Sequence, residues 1–191
     1  SFLAEVSGLP YVSLQPLAGA QGELTSILRV KRFCDDAGDD GRTAVLVPST
    51  AHGTNPATAS MAGFGAKEVG LDEHGCVDVD ELREMVDEST AALMITNPNT
   101  CGVYERNIAE IAAVLHAAGA FLYMDGANMN ANMGRMRPAE ADVDIMHFNL
   151  HKTFSTPHGG GGPGCGAIAC SEDLAPFLPD PTVEKEGDTY R

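Results

Sequence analysis

The chain has 191 residues, with 12 Lys plus Arg against 27 Asp plus Glu and a formal net charge of −15. Such an acid excess without a basic stripe argues against nucleic acid or an anionic membrane as partner. The length suits one domain with a real core, and no apolar run approaches the roughly 20 residues of a membrane span.

The first residues, "SFLAEVSGLP", lack the charged and apolar regions of a signal peptide, and the last, "TVEKEGDTYR", are polar. Both ends read as cut, so a fragment of a longer chain is expected. Five cysteines, Cys34, Cys76, Cys101, Cys165 and Cys170, contain no C-x-x-C pair. Reduced thiols in a cytosol-like compartment are expected, and zinc is not.

In chain order, "GELTSILRVKRFCDDAG" spaces Leu24, Ile27, Leu28 and Val30 along a helical face and offers Gly38 as a stop. "TAVLVP" predicts a short buried strand closed by proline, and "NPATASMAGFG" a helix opened near Thr54 and Asn55. The pattern recurs as "AKEVGL" (strand), "DVDELREMVDES" (helix), "AALMITNP" (strand), "NIAEIAAVLHAAG" (helix) and "AFLYMDG" (strand), followed by the strands "DVDIMHFN" and "CGAIACS". Short apolar strands alternating with amphipathic helices predict an α/β fold, a mostly parallel sheet flanked by helices on both faces. Ligands in such sheets sit outside the carboxyl ends of the strands. "PSTAHGTN", "TNPNTCG", "DGANMN" and "NLHK" all directly follow predicted strands.

Two of these segments carry reactive groups. A lysine in an acidic protein is by type a solvated charge, but Lys152 lies just past the strand "DIMHFN", and Asp125 ends the strand "AFLYMD". An amine and an acid therefore reach the same sheet edge. A neutral lysine amine attacks carbonyls, and imine formation with an aldehyde cofactor is the natural use of one in a cleft. A carboxylate in the place of Asp125 serves as a metal ligand, a helix cap or the partner of a pyridinium nitrogen. Its neighbours in "DGANMNANMG" are amides and thioethers, poor company for a metal. His147 and His151 are four apart, but in a strand they do not make a helical zinc pair. The four glycines Gly159 to Gly162 follow the lysine, the reverse of a P-loop. They read either as a flexible connection or as a loop that hugs or moves over a cofactor.

Together "HKTFSTPHGGGGPG", "AGAQGE", "PSTAHGTNPA", "TNPNTCGVYE" and "DGANMNA" resemble the glycine dehydrogenase (decarboxylating) family, the P-proteins of the glycine cleavage system. The resemblance runs from about Leu14 to the C-terminal "VEKEGDTYR". It implies the large domain of a fold-type-I pyridoxal-phosphate-dependent transferase. Residues 1–191 would form a single cofactor-binding core, with the small C-terminal domain and the N-terminal half of a longer enzyme absent.

The resemblance further implies pyridoxal 5'-phosphate covalent to Lys152, Asp125 against the pyridine nitrogen, and His52 stacked on the cofactor face. Without it, His52 reads as an exposed loop histidine. Ala20 and Gln21, at the start of the first long helix, would meet the phosphate, although the glutamine also suits a capping role. Asn149 and His151 would reach the phosphate too, and strand alternation would place both on one side. Thr100 would bond the phenolic oxygen, with Asn97 as competitor and a plain turn role for "NPNT" as the alternative. Thr54 and Asn55 are candidate substrate contacts.

The implied activity is decarboxylation of glycine with transfer of the aminomethyl group to the lipoyl arm of H-protein. The mobile glycine loop would admit that arm, and the site would form across a dimer with the other half or a second copy of the P-protein. The compartment would be the cytoplasm in a bacterium or the mitochondrial matrix in a eukaryote. Two other readings fit the same residues: a different fold-type-I lyase or aminotransferase, and an inert core or dimerisation module.

Overall fold

The computed structural model describes residues 2–161, 164–179 and 185–190. In chain order these form α1 (Phe2–Ser7), β1 (Tyr11–Ser13), α2 (Gly19–Asp36), β2 (Ala44–Pro48), α3 (Thr54–Met61), β3 (Gly65–Val69) and α4 (Val79–Met85). There follow β4 (Thr90–Thr96), α5 (Ile108–Ala117), β5 (Phe121–Gly126), α6 (Met129–Asn132), β6 (Ile145–Phe148), α7 (Leu150–Thr153) and β7 (Ile168–Cys170). A hairpin of β8 (Lys185–Glu186) and β9 (Thr189–Tyr190) stands apart from the sheet.

The seven-stranded sheet runs β1-β7-β6-β5-β4-β2-β3. Strands β3, β2, β4, β5 and β6 are mutually parallel, while β7 lies antiparallel between β6 and β1. This is the mostly parallel α/β sheet expected. Every residue of β2, β4, β5 and β6 is buried, as strands covered on both faces require. The outer strand β3 exposes Lys67 and Glu68, charges that discourage further pairing at an edge.

Alternation along the strands sorts the core into two layers. Leu46, Leu93, Ile95, Leu122 and Met124 pack with Ile111 and Leu115 of α5 and Leu82 of α4. Val45, Val47, Ala92, Met94, Phe121 and Tyr123 pack with Ile27, Val30 and Cys34 of α2 and Ala59 of α3. Helix α2 ends at Asp36, and Gly38 takes a φ of +70°, the turn conformation glycine adopts freely.

The segment around the lysine differs from its expected form. Strand β6 stops at Phe148, and Lys152 N–H donates to Asn149 O at 2.9 Å, winding residues 150–153 into the single turn of α7. Asn149 and His151 therefore do not share one side of an extended strand. Pairing with β5 ends at Phe148, while Leu150 N–H still donates to Cys165 O at 3.3 Å, so the local turn takes over where one of the two neighbouring strands is lost. Of the expected glycine loop, Gly162 and Pro163 lie outside the described residues, as do residues 180–184 of the C-terminal segment.

Helix α2 approaches the sheet so closely that a Cβ on Gly22 would sit 2.3 Å from Gly166 O. Gly22→Ala should therefore lower stability by about 1–3 kcal/mol, despite the better helix propensity of alanine. A lower urea midpoint at unchanged slope is the expected signature. All five cysteines are free, with Cys34, Cys76 and Cys170 buried and Cys101 exposed. Burial raises the Cys34 and Cys76 thiols and pushes Cys170 up to about 12. A maleimide should thus label Cys101 in the native protein well before those three, as peptide mass analysis would read out.

Candidate active site

The register of the parallel strands puts Thr96, Asp125 and His147 in one row, since Thr96 pairs with Asp125 and Asp125 with His147. All three lie on the α2 side of the sheet at the carboxyl ends of their strands. Above them opens a cleft of about 550 Å³, well within the size range of small-molecule sites.

The cleft draws on every element that ends there. Ala18, Gly19, Ala20 and Glu23 come from the start of α2, His52 and Thr54 from the turn after β2, and Thr100 from the turn after β4. Asn149, His151 and Lys152 follow β6, and His158, Gly161 and Gly164 come from the glycine-rich loop. Ala20, His52, Thr54, Thr100, Asp125, Asn149, His151 and Lys152 are thus brought together as the sequence led one to expect.

Two expected residues are placed elsewhere. Gln21 does not line the cleft; its Oε1 accepts from Leu17 N–H at 2.9 Å, which leaves it bracing the turn before α2. Asn55 lies behind the cleft wall, fully buried, and its Nδ2 donates to Glu23 Oε1 at 3.0 Å and weakly to Asp125 Oδ2 at 3.4 Å. Thr100 lines the cleft but donates its hydroxyl to Thr50 O at 2.6 Å, tying two loops together. Asn97 is buried and accepts from Glu105 N–H at 2.9 Å.

One end of the cleft suits an anion. Ala18 gives α2 no side-chain cap, so the first N–H groups of this 18-residue helix lack that partner and carry its positive dipole end. Asn149 Oδ1 and His151 Nδ1 are buried without a hydrogen-bond partner among the described residues. Gly19 makes room for Asn149, because a Cβ there would fall 1.8 Å from Asn149 Oδ1. Burial, then the charges of His158 and Lys152, hold His151 below the usual imidazole value, which favours the neutral ring with one N–H and one lone pair.

The other end is acidic and was only half foreseen. Asp125, 4 % exposed, accepts at Oδ1 from Ala127 N–H at 2.9 Å, and His147 Nε2 stands 3.6 Å from the same oxygen. Glu23, 3 % exposed, accepts from Asn55 and from Thr54 Oγ1–H at 2.9 Å. Thr54 Oγ1 is in turn 2.8 Å from His52 Nδ1. Neither Glu23 nor His147 was singled out as a site residue from sequence. The signal for Glu23 was its place one helical turn after Gly19 in "GAQGE"; for His147 it was its alignment with Asp125 at the strand ends.

Comparison with known proteins gives these residues a context. The aminotransferase class-V family model matches residues 26–185. The chain is 54% identical over 189 residues to the "Probable glycine dehydrogenase (decarboxylating) subunit 2" of Halalkalibacterium halodurans, covering 99% of this chain and 39% of that protein. It is also 54% identical over 190 residues to the protein of the same name from Thermoplasma volcanium, covering 100% and 40%. The chain therefore spans about two fifths of the length of the relatives it matches. Among solved structures, the inhibitor-bound glycine decarboxylase (P-protein) of the glycine cleavage system superposes with a TM-score of 0.80 at 23% identity over 98% of this chain and 40% of that one. A sphingosine-1-phosphate lyase from Burkholderia pseudomallei gives 0.67 at 20% identity over 87% and 39%. These structural likenesses concern the fold, which is that of fold-type-I enzymes, and the named relatives agree with the resemblance carried by the sequence motifs.

The buried carboxylate of Glu23 accepts from both Thr54 and Asn55. Glu23→Ala should strand the Asn55 amide and cost about 2 kcal/mol. Glu23→Gln, which keeps one acceptor oxygen, should cost less. The ranking is read from urea unfolding of the two variants, and equal losses would show that the carboxylate does not hold this wall.

Proposed function

Because the chain belongs to the aminotransferase class-V family, we propose that its cleft is a pyridoxal-phosphate site serving glycine decarboxylation in the glycine cleavage system. The observation that carries the reading is the meeting of Lys152, Asp125 and an uncapped α2 N-terminus in one cleft. The relatives' shared name, glycine dehydrogenase (decarboxylating), supplies the reaction.

The residues fit the group. Lys152 is the amine for its aldehyde, Asp125 the anion for its ring nitrogen, and His52 the ring for its face. Asn149, His151 and the first N–H groups of α2 suit its phosphate, which would satisfy the unpaired Asn149 Oδ1 through a phosphate proton or bridging water and His151 through its N–H. When bound, the group supplies an electron sink for the carbanion left by loss of carbon dioxide.

The protein's own part is placement. The amine of Lys152 takes up and returns protons beside the reacting carbon. His52, anchored by Thr54, would restrain the bound group and help to orient the substrate against it. Thr54, on the cleft wall, is a substrate contact in this reading. The aminomethyl group would then pass to the lipoyl arm of H-protein.

On this reading residues 1–191 are the cofactor-binding core of a longer enzyme, in line with their coverage of the relatives. Leu14 and Leu17, 64 % and 72 % exposed, lie just before the cleft residue Ala18. They offer apolar surface to the remaining part of the enzyme or to a second copy. The free cysteines suit a reducing compartment, here the cytoplasm.

The cofactor assignment is tested on the protein loaded with pyridoxal phosphate and reduced with borohydride. The label is expected on the peptide carrying Lys152, and Lys152→Ala should lose both label and carbon dioxide release from glycine in the presence of H-protein. Label on another lysine, or none in the folded complete enzyme, would overturn the assignment.

A further inference from the structure

We propose that Tyr123 is a positioning residue, whose phenol holds His147 in the tautomer that turns an N–H, rather than a lone pair, toward Asp125. The geometry comes from the sheet. Strands β5 and β6 pair Tyr123 with Ile145 and Asp125 with His147, so Tyr123 and His147 are diagonal neighbours on one face, within reach of long side chains.

Tyr123 Oη lies 2.6 Å from His147 Nδ1, and the ring planes are 9° apart. The two residues are 0 % and 2 % exposed, so water does not compete for the bond. Tyr123 Oη makes no other hydrogen bond among the described residues.

Those facts decide where the protons sit. If the phenol donates, Nδ1 accepts and the single imidazole proton rests on Nε2, 3.6 Å from Asp125 Oδ1. If Nδ1–H donated instead, the phenolic hydrogen would be buried without an acceptor, an arrangement that folded proteins avoid. In the neutral ring it would also turn the Nε2 lone pair toward a carboxylate. Burial, followed by the charges of Asp125 and Glu23, keeps the Tyr123 phenol well above its usual value, so its proton is always there to give.

Among the described residues three donors then face Asp125: Ala127 N–H, Asn55 Nδ2 and His147 Nε2–H. Its consequence rests on the reading given above, in which Asp125 meets the ring nitrogen of the cofactor. A carboxylate so held keeps one orientation, with the Asn55 amide standing between it and the Glu23 carboxylate.

The test is the nitrogen-15 spectrum of His147 in the cofactor-free, full-length protein, assigned by comparison with His147→Gln. We expect an unprotonated Nδ1 and a protonated Nε2. In Tyr123→Phe, which keeps the ring, the preference should fall about tenfold toward a tautomer mixture. A protonated Nδ1 in the unaltered protein, alone or with Nε2, overturns the proposal, as does a Tyr123→Phe spectrum identical to it. Should Tyr123→Phe not fold, the unaltered protein's spectrum still decides. Borohydride labelling of Lys152 is scored separately, so a failed cofactor reading leaves the tautomer result standing and is distinguishable from it.

Discussion

The site depends on how near α2 comes to the ends of β6 and β7. Three glycines set that distance, each where a side chain would strike its neighbour: Gly19 against Asn149, Gly22 against Gly166 O, and Gly166 against Ala18 O at 1.9 Å. Gly166 N–H donates to Pro16 O at 3.1 Å and fastens the approach to α2 onto the strand that leads into β7. A helix carrying larger residues at these points would ride higher on the sheet. Its uncapped N–H groups and Glu23 would then stand away from Asn149 and Asp125. Backbone proximity, rather than any single reactive side chain, makes one cleft out of five loop ends.

The same proximity brings two carboxylates into a nearly dry layer. Asp125 and Glu23 share Asn55 between them, and Glu23 reaches His52 through Thr54. Buried charges of like sign are costly unless donors surround each of them. Here backbone, amide, hydroxyl and imidazole groups do so, and the network ties Asp125 to His52 through the wall of the cleft. Such a network stabilises little in itself, but it limits each member to one orientation. Precision of that kind is what a site needs if it is to hold a planar group between an imidazole and a carboxylate.

The sheet was legible because its strands are continuous apolar runs closed by Pro48, Asn97, Gly126 and Asn149, and the helices between them keep an apolar stripe. The amine and the acid were legible for the same reason, as Lys152 and Asp125 each follow such a run. What escaped was short or nonlocal. α1, α6 and α7 span six, four and four residues, and β1 spans three; each is stabilised by tertiary contact instead of its own periodicity. Glu23 looked like an ordinary helix residue, since nothing in its neighbours shows that Asn55 and Thr54 will fold over it. His147 read as a strand residue because its meaning comes from register with Asp125. Gln21 misled because a helix start and a glutamine suit both anion contact and turn bracing, and only the direction of its side chain distinguishes them.

The net charge of −15 sits awkwardly with a site proposed to take a phosphate, and distance resolves the conflict. Charges on the far surface are screened within about 8–10 Å at ordinary ionic strength, whereas an anion in the cleft would be governed by groups in contact with it. Asn149 lies against Gly19 at the α2 N-terminus, while the carboxylates of Asp125 and Glu23 are gathered around Asn55. The cleft is thus polarised along its length. On the proposed reading it would favour a ligand with an anionic group at one end and a protonated ring nitrogen at the other, since the reverse orientation would place phosphate beside Asp125 and Glu23. On that reading, orientation would be set by charge before any covalent bond to Lys152 formed, and the lysine would need only to be within reach of the carbonyl that this orientation presented.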